Sequence, residues 1–347
     1  MNITGGFEMK RFLIVFLTCM LALAVSGVVF AGGQQEGGET ESSSAEETGG
    51  TEQTAEEKTW KIGFNNYSDS HEFCYKVHDG IKEAAAKAGV ELLYAEAQMD
   101  ASKVMSNLEN FVIQGADAVF EFNWIPEVTA NFASKYPDLV VVAGDVRAEG
   151  CYYFGANNLE AGKVLGRYLA EKVEEEWNGT VNAIAICYYQ GGGDELNKRM
   201  GGIIQGFEET YPEFPEDKVF WFDNGGDALK SKQIVTDFLS ANPDTSNIVV
   251  ATNNDEGGVG ALSAVETAGR EDDVFIISHG GDTPYQENVR AGKGDVWVGS
   301  VAYTPELYGK YLIPWMVDIL EGKDVPDSMN PEHFVLTEKN IDEYYPQ

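Results

Sequence analysis

Basic side chains are scarce in this chain of 347 residues. It has 24 lysines and arginines against 57 aspartates and glutamates, and its formal net charge at pH 7 is −33. A nucleic-acid partner requires a basic patch that neutralises phosphates, so this composition argues against nucleic acid as a partner. A strongly acidic surface also keeps a protein soluble and favours a monomer.

Histidine and cysteine are scarce too, with four of each. No two cysteines have the C-x-x-C spacing, so the sequence does not support metal or redox chemistry, and no cofactor is expected. His71 with Glu72, or Asp255 with Glu256, could form an acid–base pair, but neighbouring side chains on a strand or loop point apart. We therefore expect a binding protein rather than an enzyme; a secreted hydrolase is the alternative from another class.

The glycine runs do not predict a nucleotide site. Residues 191–193 and 280–281 are glycines, but neither run is followed by Lys-Ser or Lys-Thr, as a phosphate-binding loop requires. A dinucleotide-binding fingerprint is also absent.

The amino-terminal region predicts export. Lys10 and Arg11 precede an apolar run, and small residues follow at the spacing of a cleavage site, so residues 1–31 are predicted to be a signal peptide. An uncleaved membrane anchor is the alternative. Residues 32–58 lack apolar periodicity and are predicted to form a disordered acidic linker. We expect a periplasmic protein in which three cysteines remain, at least one of them with a free thiol.

From about residue 59 onward, strand and helix patterns alternate regularly. Wholly apolar runs such as residues 139–143 are typical of strands that are covered on both faces of a parallel sheet. The β/α order predicts the α/β class with doubly wound sheets. Because ten or so strands are many for one open sheet, we predict two lobes joined by a hinge. The predicted lobes are residues 59–157 plus 304–331, and residues 158–303 plus 332–347.

Residues 248–262 provide the most informative stretch. A buried strand from Ile248 to Ala251 meets the polar residues 253–256, and small residues then begin an amphipathic helix. Ligands of α/β sheets bind at the carboxyl ends of the strands, where asparagine and aspartate can bond hydroxyl groups. The alternative is that Asn254 or Asp255 only caps the helix.

Polar residues recur at the other strand ends predicted to face the space between the lobes. Turn and cap chemistry alone explains many asparagines and aspartates there, but it does not supply arginines such as Arg147 and Arg199. Arginine opposite carboxylates, with aromatic faces nearby, suits a polyhydroxylated ring. The predicted ligand-binding residues are Asn66, His71, Phe73, Cys74, Asp145, Arg147, Asn197, Arg199, Asn224, Asn254, Asp282 and Tyr303.

With these motifs in place, the chain resembles the type I periplasmic sugar-binding proteins of ABC transporters, the ribose- and galactose-binding group. The resemblance rests on the opening strand at residues 62–66, on residues 249–256 with Gly260-Ala-Leu262, on residues 276–284, and on residues 302–306 with Gly309. It implies a two-lobed clamp and an ABC permease as partner, with a chemoreceptor as a further candidate. It also implies sugar contacts at Phe73, Asp145, Asn254, Asp282 and Tyr303, and at Arg199 and Asn224.

The chain departs from the family's pattern at several of these positions. Cys74 replaces a second aromatic residue, Arg147 is displaced by one position from the family's Asp-Arg pair, and Tyr303 replaces a hinge glutamine. These changes favour a ligand other than ribose. A non-sugar ligand, such as an autoinducer or a nucleoside, is the alternative.

Overall fold

The computed structural model describes residues 58–98 and 100–346. The predicted signal peptide and all but the last residue of the predicted linker lie outside these ranges. Within them, no helix combines the length and the apolar character that crossing a bilayer requires.

Twelve strands are present in the described part of the chain, and most are apolar runs of five to seven residues. In chain order they are β1 Lys61–Asn66, β2 Glu91–Glu96, β3 Ala118–Phe122, β4 Val140–Gly144, β5 Tyr152–Phe154, β6 Ala183–Tyr188, β7 Val219–Asp223, β8 Ile248–Thr252, β9 Val274–Gly280, β10 Trp297–Ala302, β11 Ser328–Met329 and β12 Phe334–Leu336.

These strands form two six-stranded sheets. The first has the order β11-β5-β4-β3-β1-β2, and all of its neighbours are parallel. The second has the order β12-β10-β9-β8-β6-β7, and only β12 runs antiparallel to its neighbour. Each sheet with its helices is called a lobe below. The predicted class, α/β with two doubly wound lobes joined by a hinge, is confirmed.

Helices cover both faces of each sheet. In chain order they are α1 Glu72–Ala88, α2 Ala101–Ile113, α3 Pro126–Lys135, α4 Asn158–Trp177, α5 Gly193–Glu208, α6 Ala228–Ala241, α7 Asp255–Ala268, α8 Thr283–Asn288, α9 Tyr308–Leu320 and α10 Ile341–Tyr344. Local chemistry sets several of their ends. For example, α2 begins where the Asp100 side chain accepts from the Ser102 N–H, and α1 ends at Gly89 with φ 67°.

Two glycines on each of α4 and α5 allow these helices to pack with their backbones in contact. A Cβ added at Gly162 would lie 2.0 Å from the Arg199 carbonyl oxygen, and one at Gly206 would lie 2.2 Å from that of Lys163. Gly166 and Gly202 are equally close to the facing backbone. This contact fixes where the amino-terminal half of α5 lies relative to the beginning of α4.

The chain crosses between the lobes three times: after β5, after β10 and between β11 and β12. The crossings contact one another. The Asn157 N–H donates to His333 Nε2 at 3.1 Å, Asn330 Nδ2 donates to the Gly155 carbonyl at 2.7 Å, and the Tyr303 and His333 rings lie 4.9 Å apart. The three crossings therefore form one connected hinge.

Candidate functional site

The candidate site lies where the carboxyl ends of the strands of both sheets meet beside the hinge. This space is called the crevice. The first lobe contributes the residues that follow β1, β3 and β4, and the second contributes those that follow β6, β7, β8, β9 and β10. At its rim the lobes touch, because Thr283 Oγ1 donates to Glu72 Oε1 at 3.0 Å.

Arg199 is held by residues of the second lobe. Its Nε and Nη2 donate to Asn158 Oδ1 at 3.0 and 2.6 Å, and its Nη1 donates to the Asn253 carbonyl at 3.2 Å. The guanidinium carbon lies 4.5 Å from the centre of the Tyr303 ring. The glycine contact between α4 and α5 brings Asn158 and Arg199 together, so the guanidinium is oriented before any ligand arrives.

Asp145 approaches the same region from the first lobe. It directly follows β4 with φ 57°, and its Oδ1 accepts from the Ala156 N–H at 3.2 Å and from the Tyr308 hydroxyl at 3.1 Å. Burial raises the pKa of Asp145 to about 6, against the lowering effect of these two hydrogen bonds and of Arg199. Within the described residues Oδ2 has no hydrogen-bond partner, so it is available to accept from a ligand hydroxyl.

Tyr303 lies at the end of β10, on the second crossing, and is buried. Its hydroxyl is 3.1 Å from His279 Nδ1. Burial lowers the pKa of His279 well below its ordinary value and lowers that of His333 to about 4. Both imidazoles are therefore neutral at pH 7, and Arg199 is the nearby cation.

Asp255 joins the ends of β8, β9 and β10. Its Oδ1 accepts from the Ser278 and Ser300 hydroxyls at 2.6 and 2.7 Å, and its Oδ2 accepts from the Asp282 N–H at 2.7 Å. Burial, followed by nearby Asp282, raises the pKa of Asp255, while these hydrogen bonds oppose the shift. All three donors belong to the protein, so Asp255 stabilises the ends of these three strands at the crevice.

The side chain of Asp282, unlike that of Asp255, is available to accept hydrogen bonds from a ligand. It begins α8, and its side chain makes no hydrogen bond within residues 58–98 and 100–346. Burial raises its pKa to about 6; Lys76 lowers it, and Glu256, Glu72 and Glu306 raise it. Its carboxylate is therefore a second acceptor at the edge of the crevice.

Asn254 and Asn224 support the backbone around the end of β8. Asn254 Oδ1 caps α7 by accepting from the Gly257 N–H at 2.9 Å, and its Nδ2 donates to the Gly226 carbonyl at 2.9 Å. Asn224 donates to Ser231 Oγ at 3.0 Å and accepts from the Gly226 N–H at 2.9 Å. The capping alternative describes what Asn254 does here, and the ligand role of both residues stays a prediction.

Asn66 and Cys74 are buried in the first lobe. Asn66 Nδ2 donates to Asp69 Oδ1 at 2.8 Å and to the Cys74 carbonyl at 3.3 Å. Cys74 is fully buried in the core, where desolvation raises the pKa of its thiol to about 12, and Cys74, Cys151 and Cys187 are all free. Phe73, by contrast, packs against the cores of both lobes.

Arg147 and Asn197 have hydrogen-bond partners different from those of Arg199. Arg147 donates to Ser328 Oγ at 3.0 Å, stacks on Tyr153 and lines a cavity of about 210 Å³ beside the first crossing. Asn197 Nδ2 donates to the Tyr189 and Gly193 carbonyls at 2.7 and 2.9 Å, which ties α5 to the end of β6. His71 is exposed just before α1.

Sequence reasoning did not find Asn158, Tyr308 or Trp124. Asn158 orients Arg199, Tyr308 bonds Asp145, and Trp124 lies beside the crevice after β3 with φ 59°. Asn158 reads in sequence as the first residue of a helix, and only the packing of α5 gives it a partner. Trp124 follows a predicted strand end, which was an available signal.

Among the described residues, no group of three or more histidine, cysteine, aspartate or glutamate side chains is placed to hold a metal ion. The arrangement contains hydrogen-bond acceptors, one oriented guanidinium and aromatic rings, and these serve recognition rather than bond cleavage.

Known proteins share sequence and fold with this chain. The chain is 24% identical over 288 residues to the ribose import binding protein of Bacillus subtilis strain 168, covering 81% of this chain and 88% of that protein. It is 24% identical over 310 residues to the galactofuranose-binding protein of Escherichia coli K12, covering 86% and 88%. A periplasmic solute-binding protein of an ABC transporter from Actinobacillus succinogenes 130z, solved with bound D-allose, superposes with a TM-score of 0.66 at 20% identity, covering 82% of this chain and all of that chain.

The family model described as "Periplasmic binding protein domain" matches residues 62–324, which include nearly all of β1, strands β2 to β10 and two of the three crossings. This chain therefore belongs to the periplasmic binding protein family.

Proposed function

We propose that this protein is the substrate-binding component of an ABC importer and that it binds a monosaccharide between its two lobes. One observation carries the proposal: Asp145 of the first lobe and Arg199 of the second face the same small region beside the hinge, with Tyr303 under the guanidinium. A ligand that bonds both charged groups at once contacts both lobes.

The chemistry of these groups suits a sugar. A carboxylate accepts from hydroxyl groups, a guanidinium donates to ring and hydroxyl oxygens, and aromatic rings stack on C–H faces. The relatives named above, which are described with ribose, galactofuranose and D-allose, support the same ligand class. A nucleoside or an autoinducer is the competing ligand class.

The proposed mechanism is closure around the ligand. Contacts from both lobes favour the closed arrangement by the difference in the ligand's affinity for the closed and open forms. The closed protein is then recognised by the membrane permease, and a chemoreceptor is a candidate second partner. The proposal includes three further points. The lobe boundaries lie at residues 157/158, 303/304 and 331/332. A signal peptide directs the protein to the periplasm, where it acts as a monomer.

A thermal-shift panel on the purified protein, unfolded and refolded to remove any carried ligand, tests the proposal. The panel holds pentoses, hexoses, deoxy sugars, polyols and nucleosides. A ligand at 100 times its dissociation constant adds about 2.7 kcal/mol of stability, which is a shift of several degrees. Stabilisation by one monosaccharide supports the proposal, whereas stabilisation by a nucleoside alone contradicts the sugar assignment and keeps the binding role.

A further inference from the structure

Trp124 lies two residues after the end of β3 and has an unusual backbone conformation. Its φ is 59°, in the left-handed region that a bulky residue rarely adopts. Asp145, which follows the neighbouring strand β4, has φ 57°. Two adjacent parallel strands therefore each end at the crevice in a strained non-glycine residue, and such strain concentrates at ligand-binding positions.

Aromatic neighbours hold the Trp124 indole in place. Its ring centre lies 4.8 Å from that of Tyr67, 6.0 Å from that of His71 and 5.7 Å from that of Phe122. Tyr67 and His71 belong to the loop between β1 and α1, and β1 pairs with β3. Although three rings surround it, the indole is only partly buried, so some of its surface stays open.

The same rings continue toward the region of Asp145. Phe122 stacks on Phe73 at 6.3 Å, and Phe73 contacts Tyr308, whose hydroxyl bonds Asp145. The first lobe thus presents an aromatic surface beside an acceptor carboxylate. That pair of features matches a sugar ring, which has an apolar C–H face and hydroxyl groups at its edge.

We propose that Trp124 is a specificity-determining ligand contact, whose indole stacks on the C–H face of a sugar ring while Tyr67 and His71 hold it in place. This inference rests on the proposed function. It predicts that the protein distinguishes a cyclic sugar from an acyclic polyol with the same hydroxyl groups, because only the ring offers a flat apolar face to the indole.

The test uses Trp124→Ala and Trp124→Phe, with Trp221→Phe as a matched control. Trp221 lies on β7, the edge strand of the second sheet, and is 49% exposed. Refolded full-length protein is titrated with D-ribose, D-galactose, D-allose and the acyclic D-sorbitol, and affinity is measured by calorimetry and tryptophan fluorescence. Unfolding midpoints without ligand are recorded for every variant.

In the expected result, wild type and Trp221→Phe bind a cyclic sugar with the same affinity and with a change in fluorescence. Trp124→Phe loses most of that change. Trp124→Ala binds the cyclic sugar roughly tenfold more weakly, while its binding of sorbitol changes less. Should Trp124→Ala fail to fold, the loss of the fluorescence change in Trp124→Phe tests whether the indole contacts the ligand.

Several results would overturn the inference. Wild-type affinity in Trp124→Ala, or an intact fluorescence change in Trp124→Phe, removes the indole from the contact. Equal weakening for sorbitol and for cyclic sugars assigns Trp124 a structural role instead. If wild type binds no sugar of the thermal-shift panel, the proposed function itself is contradicted and this inference with it. Any one of the three results above overturns the inference alone and leaves the proposed function standing.

Discussion

Sugar affinity is expected to fall in mild acid because of Asp145. Burial raises the pKa of this carboxyl group to about 6, and its Oδ2 has no partner among the described residues. A ligand hydroxyl that donates to Oδ2 binds the ionised form of Asp145. Affinity for the ligand is therefore highest above a pH of about 6 and falls as the pH drops through that value. At pH 5 roughly one tenth of the groups are ionised, which weakens binding about tenfold, or about 1.4 kcal/mol.

The variant Asp145→Asn separates this titration from others. It removes the charge-assisted hydrogen bond, which is worth about 1.5–3 kcal/mol, so affinity at pH 7.5 falls at least tenfold. Its remaining pH dependence is shallower than that of wild type because one titrating group is gone. Calorimetric titrations at pH 5, 6, 7 and 8 with the best ligand of the panel measure both effects.

Asp282→Asn is the companion variant, since burial also raises the pKa of Asp282 to about 6. Each single variant loses part of the pH dependence of binding, and the double variant loses more of it than either. A pH profile for Asp145→Asn that superposes on that of wild type would refute the assignment of Asp145 as an acceptor for the ligand.

Four further predictions concern residues of the crevice and of the packing around it. Burial raises the pKa of Glu121, on β3, from 4.5 to about 7. Because the folded pKa exceeds the unfolded value, stability is lost as the pH rises from the unfolded pKa through the folded one. In urea unfolding, Glu121→Gln is therefore expected to be more stable than wild type by up to about 3 kcal/mol at pH 8, and this advantage shrinks steadily as the pH falls toward the unfolded pKa. Arg199→Lys loses the paired hydrogen bonds to Asn158 and the stacking on Tyr303, so calorimetry should show at least roughly tenfold weaker ligand binding. Unchanged affinity would show that the guanidinium does not contact the ligand. Gly166→Ala should destabilise the protein by about 1–3 kcal/mol, because the added Cβ would lie 2.1 Å from the Ile203 carbonyl oxygen. The control Gly201→Ala, whose Cβ would have no atom within 4 Å, should increase the free energy of unfolding by up to about 1 kcal/mol. Equal effects of the two variants in thermal unfolding would contradict this reasoning. Asn254→Ala should lose about 1 kcal/mol of stability with the cap and should also weaken binding by roughly 1–3 kcal/mol, and a stability loss with intact affinity would leave Asn254 only its capping role.

The longer elements of the fold could be predicted from sequence because their signals are strong. The apolar run at residues 139–143, for example, is predicted to be a strand covered on both faces, and it forms most of β4. Strands β5, β11 and β12 were not predicted, since segments of two or three residues carry no periodicity. Their positions depend on pairing with strands that are distant in sequence.

The site is harder to predict than the fold, because sequence identifies candidate residue types but not their partners. Asn66 and Cys74 lie at a strand end and a helix start, as expected, yet their side chains are buried within the first lobe. Arg147 and Arg199 look alike in sequence. Only the second lies against Tyr303, since the glycines of α4 and α5 determine where it can reach.

The three crossings also govern how the chain can fold. Strand β5 obtains its outer neighbour only from β11, and Asn330 and Gly155, which bond each other there, are 175 positions apart. The first sheet is therefore incomplete until every strand of the second sheet except β12 has been synthesised, and the second sheet is incomplete until β12 at residues 334–336. Contacts of such long range slow folding, so a protocol that removes ligand by denaturation must allow time for both sheets to form again.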